Sequence, residues 1–348
     1  MDVRPDAPAP AIFHVHPSLR CNLSCGHCYS SSSPKGGGLE PALVAAAIAD
    51  AAALGCNVLS VSGGEPLMVP ELPAMLAAGK ACGMHVQIAT NGWFLGSPAL
   101  AAAAPFLDLV AVSIDGPPEL HNAMRGSPRA FARLEAGLLA LRALADGRLH
   151  WGFIHTVTAP GWEHLAWVAR FAADAGAGLL QLHPLERAGR AEDDALGLAL
   201  DDDGMAKTYI VSALLRAEYA GRMHVHTDVL HREHLPEPCD SVSALALIGT
   251  LVLEADGWVV PYAYGYDRRF AVCNVNHESL AAAWPRYVVQ VVPALRAQVR
   301  ALYDALSAPD APELFSWHER MVVQSAVAPP PGAMPPPPQS APSRAALR

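Results

Sequence analysis

Between residues 12 and 190, short apolar runs alternate with longer Ala- and Leu-rich stretches. The short runs are "IFHVH" (12–16), "NVLSVS" (57–62), "HVQIAT" (85–90), "LDLVAVSI" (107–114), "HWGFIHTV" (150–157) and "GLLQLH" (178–183). Their length and β-branched content predict six strands. The stretches 41–54, 70–82, 128–145 and 162–175 carry apolar residues at helical spacing and predict helices, clearest in "SPRAFARLEAGLLALRAL" with a Ser at its start. Strands alternating with helices imply parallel pairing through right-handed crossovers, hence an α/β fold. A doubly wound sheet and a barrel both satisfy the pattern, and in either the loops after the strands' C-terminal ends carry the chemistry.

The chemistry-bearing residues fall on those loops: a cysteine group after the first strand, "SGGEP" after the second, "TNG" after the third, "SIDG" after the fourth and "HPLERAGR" after the sixth. Beyond residue 190 the pattern changes. An acidic connection, "AEDDALGLALDDDG", leads to a predicted helix near 204–219, and "TLVLEADGWVVPYAYGY" predicts a hairpin turning at Asp256-Gly257. A helix over 286–306, bent at Pro293, follows. From Pro329 onward eight prolines in twenty residues predict a disordered or polyproline tail. The expected divisions are an N-terminal extension (1–11), a core (12–190), a helical and acidic connection (191–235), a C-terminal extension with its helix (236–325) and the Pro-rich tail (326–348).

Composition narrows the class. With 52% hydrophobic and 16% charged residues the chain can build a large core. The net charge of −9 and the lack of a Lys/Arg cluster argue against nucleic acid as a partner. No long uninterrupted apolar run and no secretory leader pattern are present, so no membrane partner is expected and a cytoplasmic location is the default.

Three of the seven cysteines, Cys21, Cys25 and Cys28, lie within eight residues in "LRCNLSCGHCYSSSSP" (19–34). In a chain without a disulfide context such packing points to metal or redox chemistry. Zinc with His27 as the fourth ligand is one option, although neighbouring residues chelate one ion poorly. A cubane iron–sulfur cluster held by three thiolates is the other, and it leaves one iron open. Cys56 and Cys82, each beside a Gly near a helix end, are expected to be small buried hydrophobes.

The C-x3-C-x2-C array, with a ring residue before its last Cys, resembles the signature of radical S-adenosylmethionine (SAM) enzymes. "SGGEPL" (62–67) resembles the family's Gly-Gly-Glu segment. "VSIDGPPELHNAMRG" (112–126) and "QLHPLERAGRA" (181–191) resemble the fourth- and sixth-strand segments of its peptide- and cofactor-maturing branch. The resemblance implies a partial (β/α)6 TIM-like barrel in which Cys21, Cys25 and Cys28 hold a [4Fe-4S] cluster and SAM chelates the open iron. Reduction of the cluster by an external electron donor then cleaves SAM to a 5′-deoxyadenosyl radical that abstracts hydrogen from the substrate. It further implies that Gly63, Gly64 and Glu65 bind the amino end of SAM, that Ser113 meets the ribose, and that Arg125 pairs with the methionine carboxylate. Asn91, Tyr29 and His183 are additional candidates to face SAM or substrate; Asp115 is a weaker one, since Asp-Gly is an ordinary turn pair.

The last third resembles the SPASM/twitch extension of related maturases, a small α+β appendage that holds auxiliary clusters. Here only Cys239 and Cys273 remain, with His224, His226, His231 and His234 nearby in sequence, so a second cluster is not expected. His224 and His226 should share one strand face, and Tyr262, Tyr264 and Tyr266 should form another. The resemblance implies a ribosomally made peptide as substrate. A tetrapyrrole is the alternative within the family, and a non-catalytic iron–sulfur sensor or scaffold the alternative outside it.

Overall fold

The structure is a computed structural model, and it describes residues 11–327 except 146, 193, 236 and 240. The Pro-rich tail and most of the N-terminal extension lie outside the described residues. All six expected strands form: β1 (Ile12–Val15), β2 (Val58–Val61), β3 (His85–Thr90), β4 (Leu109–Ser113), β5 (His150–Val157) and β6 (Leu179–Pro184). They pair in parallel in strict sequence order. That unreversed order is the one a barrel wall requires, and it removes the doubly wound alternative, whose strand order turns back at a switch point. The helices Pro41–Leu54, Leu72–Ala81, Ala130–Leu144 and Leu165–Ala175 fill four of the five crossovers, each within three residues of expectation, and the short helix Pro98–Ala103 lies in the fifth, between β3 and β4.

Along β1, β2, β3 and β6 buried residues alternate with half-buried ones. The buried set (Phe13, Val15, Leu59, Val61, Val86, Ile88, Leu180, Leu182) belongs to the main apolar core with Ile48, Leu76 and Leu134 of the helices. The half-buried set is mostly polar: His14, Ser60, Gln87, Gln181 and His183. A sheet with one apolar and one polar face can bury the first under helices and keep the second for a ligand.

The C-terminal third departs from expectation. The hairpin β9 (Thr250–Leu253) and β10 (Trp258–Pro261) turns at Gly257, as expected, but β9 pairs in parallel with β1. With β7 (His224–Thr227) beyond β6 and β11 (Cys273–Asn274) beyond β10, one ten-stranded sheet results. Among the described residues a second sheet pairs β8 (Val229–His231) with β12 (Leu314–Ser316).

The expected 286–306 helix is two helices, Leu280–Gln290 and Val292–Leu306, parted at Val291. Pro293 lacks an N–H to continue the first, which accounts for the break. The tyrosine face does not form, because β10 ends at Pro261 and Tyr262 adopts φ 66°. Tyr262 and Tyr266 then pack on each other in the core (5.3 Å between rings), while Tyr264 turns to β1. His224 and His226 do share the exposed face of β7, rings stacked at 6.3 Å. Cys56 is buried, but Cys82 is exposed at the end of its helix.

Candidate functional site

The cysteine loop leaves β1 and is closed on itself by Cys21 N–H to Ser33 O (2.9 Å), Ser33 N–H to Leu19 O (3.0 Å) and Leu19 N–H to Gly37 O (2.8 Å). Cys21 and Cys25 are buried and Cys28 half-buried, together with Leu23 and Trp93. Burial pushes the Cys21 thiol up to about 11 and raises Cys25, the latter against the pull of the Arg125 charge.

Three other strand ends converge on this loop. Gly63 has φ 97°, and Gly64 donates its N–H to Ser18 O (2.8 Å) while Glu65 N–H binds Arg20 O (2.9 Å). A Cβ on Gly64 would sit 2.1 Å from Arg20 O, and one on Gly63 2.5 Å from Ser18 O. The Gly-Gly pair is therefore required by the close approach of the cysteine loop's own backbone.

The Glu65 carboxylate points inward. It accepts from Leu67 N (3.1 Å) and Thr90 Oγ1 (2.7 Å) on one oxygen and from Asn91 N (2.8 Å) on the other. Burial pushes it up to about 7 against these three donors. Asn91, so braced, directs Nδ2 to Asn22 Oδ1 (2.9 Å) and towards Cys21 Sγ (3.7 Å). Ser113, half-buried, ends β4.

Arg125 is not aimed as expected. Its Nε and Nη2 form a bidentate pair with Asp115 (2.6 and 3.0 Å), and Nη1 lies 3.8 Å from Cys25 Sγ. The fork expected to meet a methionine carboxylate is closed on a carboxylate of the chain itself. Burial would raise Asp115, 1% exposed, but the Arg125 charge and hydrogen bonds, together with His27 and His121, hold it well below the usual range. His27, which would complete a zinc site, has Nε2 3.6 Å from Asp115 Oδ1 and is lowered to about 4 by burial.

Tyr29 places its hydroxyl 3.4 Å from both His16 Nε2 and Ser62 Oγ, and Tyr264 stacks on His16 at 4.7 Å. His183 lies between two carboxylates, Asp228 (Nδ1 to Oδ2, 2.8 Å) and Glu186 (Nε2 to Oε1, 3.3 Å). Burial lowers it, but these partners prevail and raise it to about 10, so it is an imidazolium at neutral pH. Cys239 is exposed, its Sγ 2.9 Å from Ser241 Oγ, whereas Cys273 is buried in the core.

Sequence reasoning missed Arg190. From 165 residues away it donates Nε to Cys25 O (2.7 Å) and Nη1 to Ser32 O (2.9 Å), and its own N–H binds Cys28 O (3.0 Å). Gly189 beside it has φ 57°, and a Cβ there would lie 2.4 Å from Tyr29 O. A Gly-Arg pair directly after the sixth strand's loop was the available signal. Glu186 and Asp228 were also missed, having no motif around them.

The donor set fits an iron–sulfur cluster. Three soft thiols share one loop, with Leu23 N–H, Asn91 Nδ2 and Arg125 Nη1 directed at their sulfurs. On and against the loop, Asn22 Nδ2, His27 Nδ1 and Arg190 Nη2 are buried without a partner among the described residues. Buried polar atoms are rarely left so, and a sulfide-bearing group would give them acceptors. No three His, Cys, Asp or Glu side chains among the described residues converge to hold a single metal ion. A cubane differs in presenting its irons at separate corners.

An α/β protein with a thiol triplet at the C-terminal mouth of a sequentially ordered parallel sheet is the class that fold and site define. Residues 15–172 match the family described as the radical SAM superfamily. Among similar sequences are the AdoMet-dependent heme synthase of Methanosarcina barkeri (strain Fusaro), 37% identical over 139 residues, and the PqqA peptide cyclase of Ruegeria pomeroyi, 32% identical over 140. These matches cover 38% and 39% of this chain and 40% and 37% of the relatives, so the chain spans about two fifths of the curated relatives it matches. Among solved structures, Streptococcus suis SuiB bound to S-adenosylmethionine superposes over 90% of this chain and 72% of its own with a TM-score of 0.63, at 14% identity. That likeness shows the fold. Among the described residues no helix is long and apolar enough to cross a membrane.

Proposed function

We propose that the chain is a radical SAM enzyme whose core spans 12–190, a partial (β/α)6 barrel, and whose residues 236–325 form a reduced SPASM/twitch-like extension with no second cluster. The carrying observation is the thiol triplet, with Asn91 and Arg125 directed at its sulfurs, set beside the Gly63-Gly64 turn and the end of β4. Cys21, Cys25 and Cys28 would hold a [4Fe-4S] cluster. Held there, the cluster would relay one electron from a reducing donor to bound SAM, whose C5′–S bond would then break to methionine and a 5′-deoxyadenosyl radical able to abstract hydrogen.

The chain's own residues do the positioning. Arg190 ties the cysteine loop to the sixth-strand segment, and Glu65 fixes Asn91 beneath Cys21. Ser113 and the backbone of Gly63-Gly64 offer polar contacts for SAM. The half-buried polar face with His14, Gln181 and His183 offers the substrate wall.

A ribosomally made peptide is the proposed substrate, supported by the likeness to the PqqA peptide cyclase. A tetrapyrrole is the second reading, favoured by the higher identity to the heme synthase. The test is electron paramagnetic resonance of the reconstituted, dithionite-reduced protein. SAM is expected to shift the cluster signal, and a signal blind to SAM would overturn the proposal.

A further inference from the structure

We propose that Asp115 and Arg125 act as one positioning unit that sets the reduction potential of the cluster, Asp115 holding the guanidinium so that its remaining nitrogen faces Cys25 Sγ; this rests on the function proposed above. Three observations converge on it. Arg125 uses two of its three nitrogens on Asp115 (2.6 and 3.0 Å), which leaves Nη1 the one directed at sulfur, 3.8 Å away. Both side chains are buried, at 1% and 7% exposure, so solvent does not screen them. The backbone fixes their approach: Arg125 ends the helix Pro118–Arg125, Gly126 follows at φ 64° with a Cβ position 3.0 Å from Ser24 O, and Gly26 N–H binds Met124 O (3.1 Å). The helix end is thus fastened onto the turn that carries Cys25.

The chemistry follows from charge. Reduction adds one electron, from an external one-electron donor, to a cluster already bound by three thiolates. Net charge and hydrogen bonds to the sulfurs set the potential of such centres. A cation aimed at one sulfur in a buried site favours the reduced form. His27 and His121 also lie within 4 Å of Asp115, but of the groups around it Arg125 is the one that also reaches a cluster sulfur, Cys25 Sγ. Removing the guanidinium alone would leave a bare buried carboxylate, which is why both charges are removed together.

The test is a redox titration of full-length reconstituted protein, with the reduced cluster followed by electron paramagnetic resonance and iron counted in each sample. The double variant Asp115→Asn/Arg125→Gln removes both charges and keeps polar side chains of similar shape. Its expected midpoint is lower by at least 59 mV, which is tenfold less reduced cluster at a fixed donor potential for one electron. Arg125→Lys keeps the charge but loses the directed donor, and should fall in the same direction by less. An unchanged midpoint in either variant, at wild-type iron content, overturns the proposal. Iron loss from both variants would also overturn it, by showing the pair to be needed for binding the cluster and not for its potential. A wild-type protein with no cluster signal would instead sink the function on which the inference rests.

Discussion

Gly64 offers the sharpest perturbation of the site. In Gly64→Ala the new methyl would lie 2.1 Å from Arg20 O, 2.5 Å from Arg20 C and 2.8 Å from Leu19 C. All three are backbone atoms, so no rotamer change relieves the clash. The turn must retreat from the cysteine loop, loosening the bonds from Gly64 N–H to Ser18 O and from Glu65 N–H to Arg20 O. Two hydrogen bonds at about 0.5–1.5 kcal/mol each, with overpacking of about 1–3 kcal/mol, give about 2–6 kcal/mol. At about 2 °C per kcal/mol for a chain of this size, Tm should fall by about 4–12 °C. Thermal denaturation of the apo protein reads this, and iron content after reconstitution should fall in parallel. Gly37→Ala is the control: it lies on the same loop, and its Cβ would meet nothing within 4 Å. A Gly64→Ala protein with the Tm and iron content of Gly37→Ala would refute the close-packing argument.

Two further predictions follow from the surroundings. Arg190→Gln loses the fork that spans Cys25 O and Ser32 O, so a chelator should strip iron severalfold faster from a protein of unchanged circular dichroism; equal rates would count against the clasp. The folded-state pKa of His183 is raised, so the stability it contributes is full below its unfolded value near 6.5 and is lost as pH rises towards about 10. Tm of the wild type should therefore decline between pH 7 and 10 more steeply than that of His183→Gln, and parallel slopes would contradict the ion-pair assignment.

The periodic part of the fold was legible because strand and helix spacing are local properties of the chain. The six strands and the Pro41–Leu54 helix needed no tertiary information. The parallel pairing of β9 with β1 joins residues more than two hundred positions apart, and no local pattern encodes it. Tyr262 shows another limit: its alternation with Tyr264 and Tyr266 read as a strand, and a left-handed φ at Tyr262 ended it.

In the site, the thiol triplet and the Gly-Gly turn stood out because few other structures need those residues at those spacings. Their immediate partners did not. The Gly-Gly pair was read for its approach to a ligand, and the structure adds that the cysteine loop's own backbone also packs against it. Arg125 was expected to meet a carboxylate and does, though the carboxylate is Asp115. Arg190 was invisible because its role is defined only once β6 is laid beside β1's loop.

Product formation is the direct test of radical SAM chemistry in this chain. Full-length protein is reconstituted anaerobically with iron and sulfide, then given dithionite and SAM, and the mixture is assayed for 5′-deoxyadenosine beside a Cys28→Ala control. Wild-type protein should form 5′-deoxyadenosine, and the variant none above background. No product from wild-type protein carrying about four irons per chain, a full complement for one cubane, would contradict that chemistry.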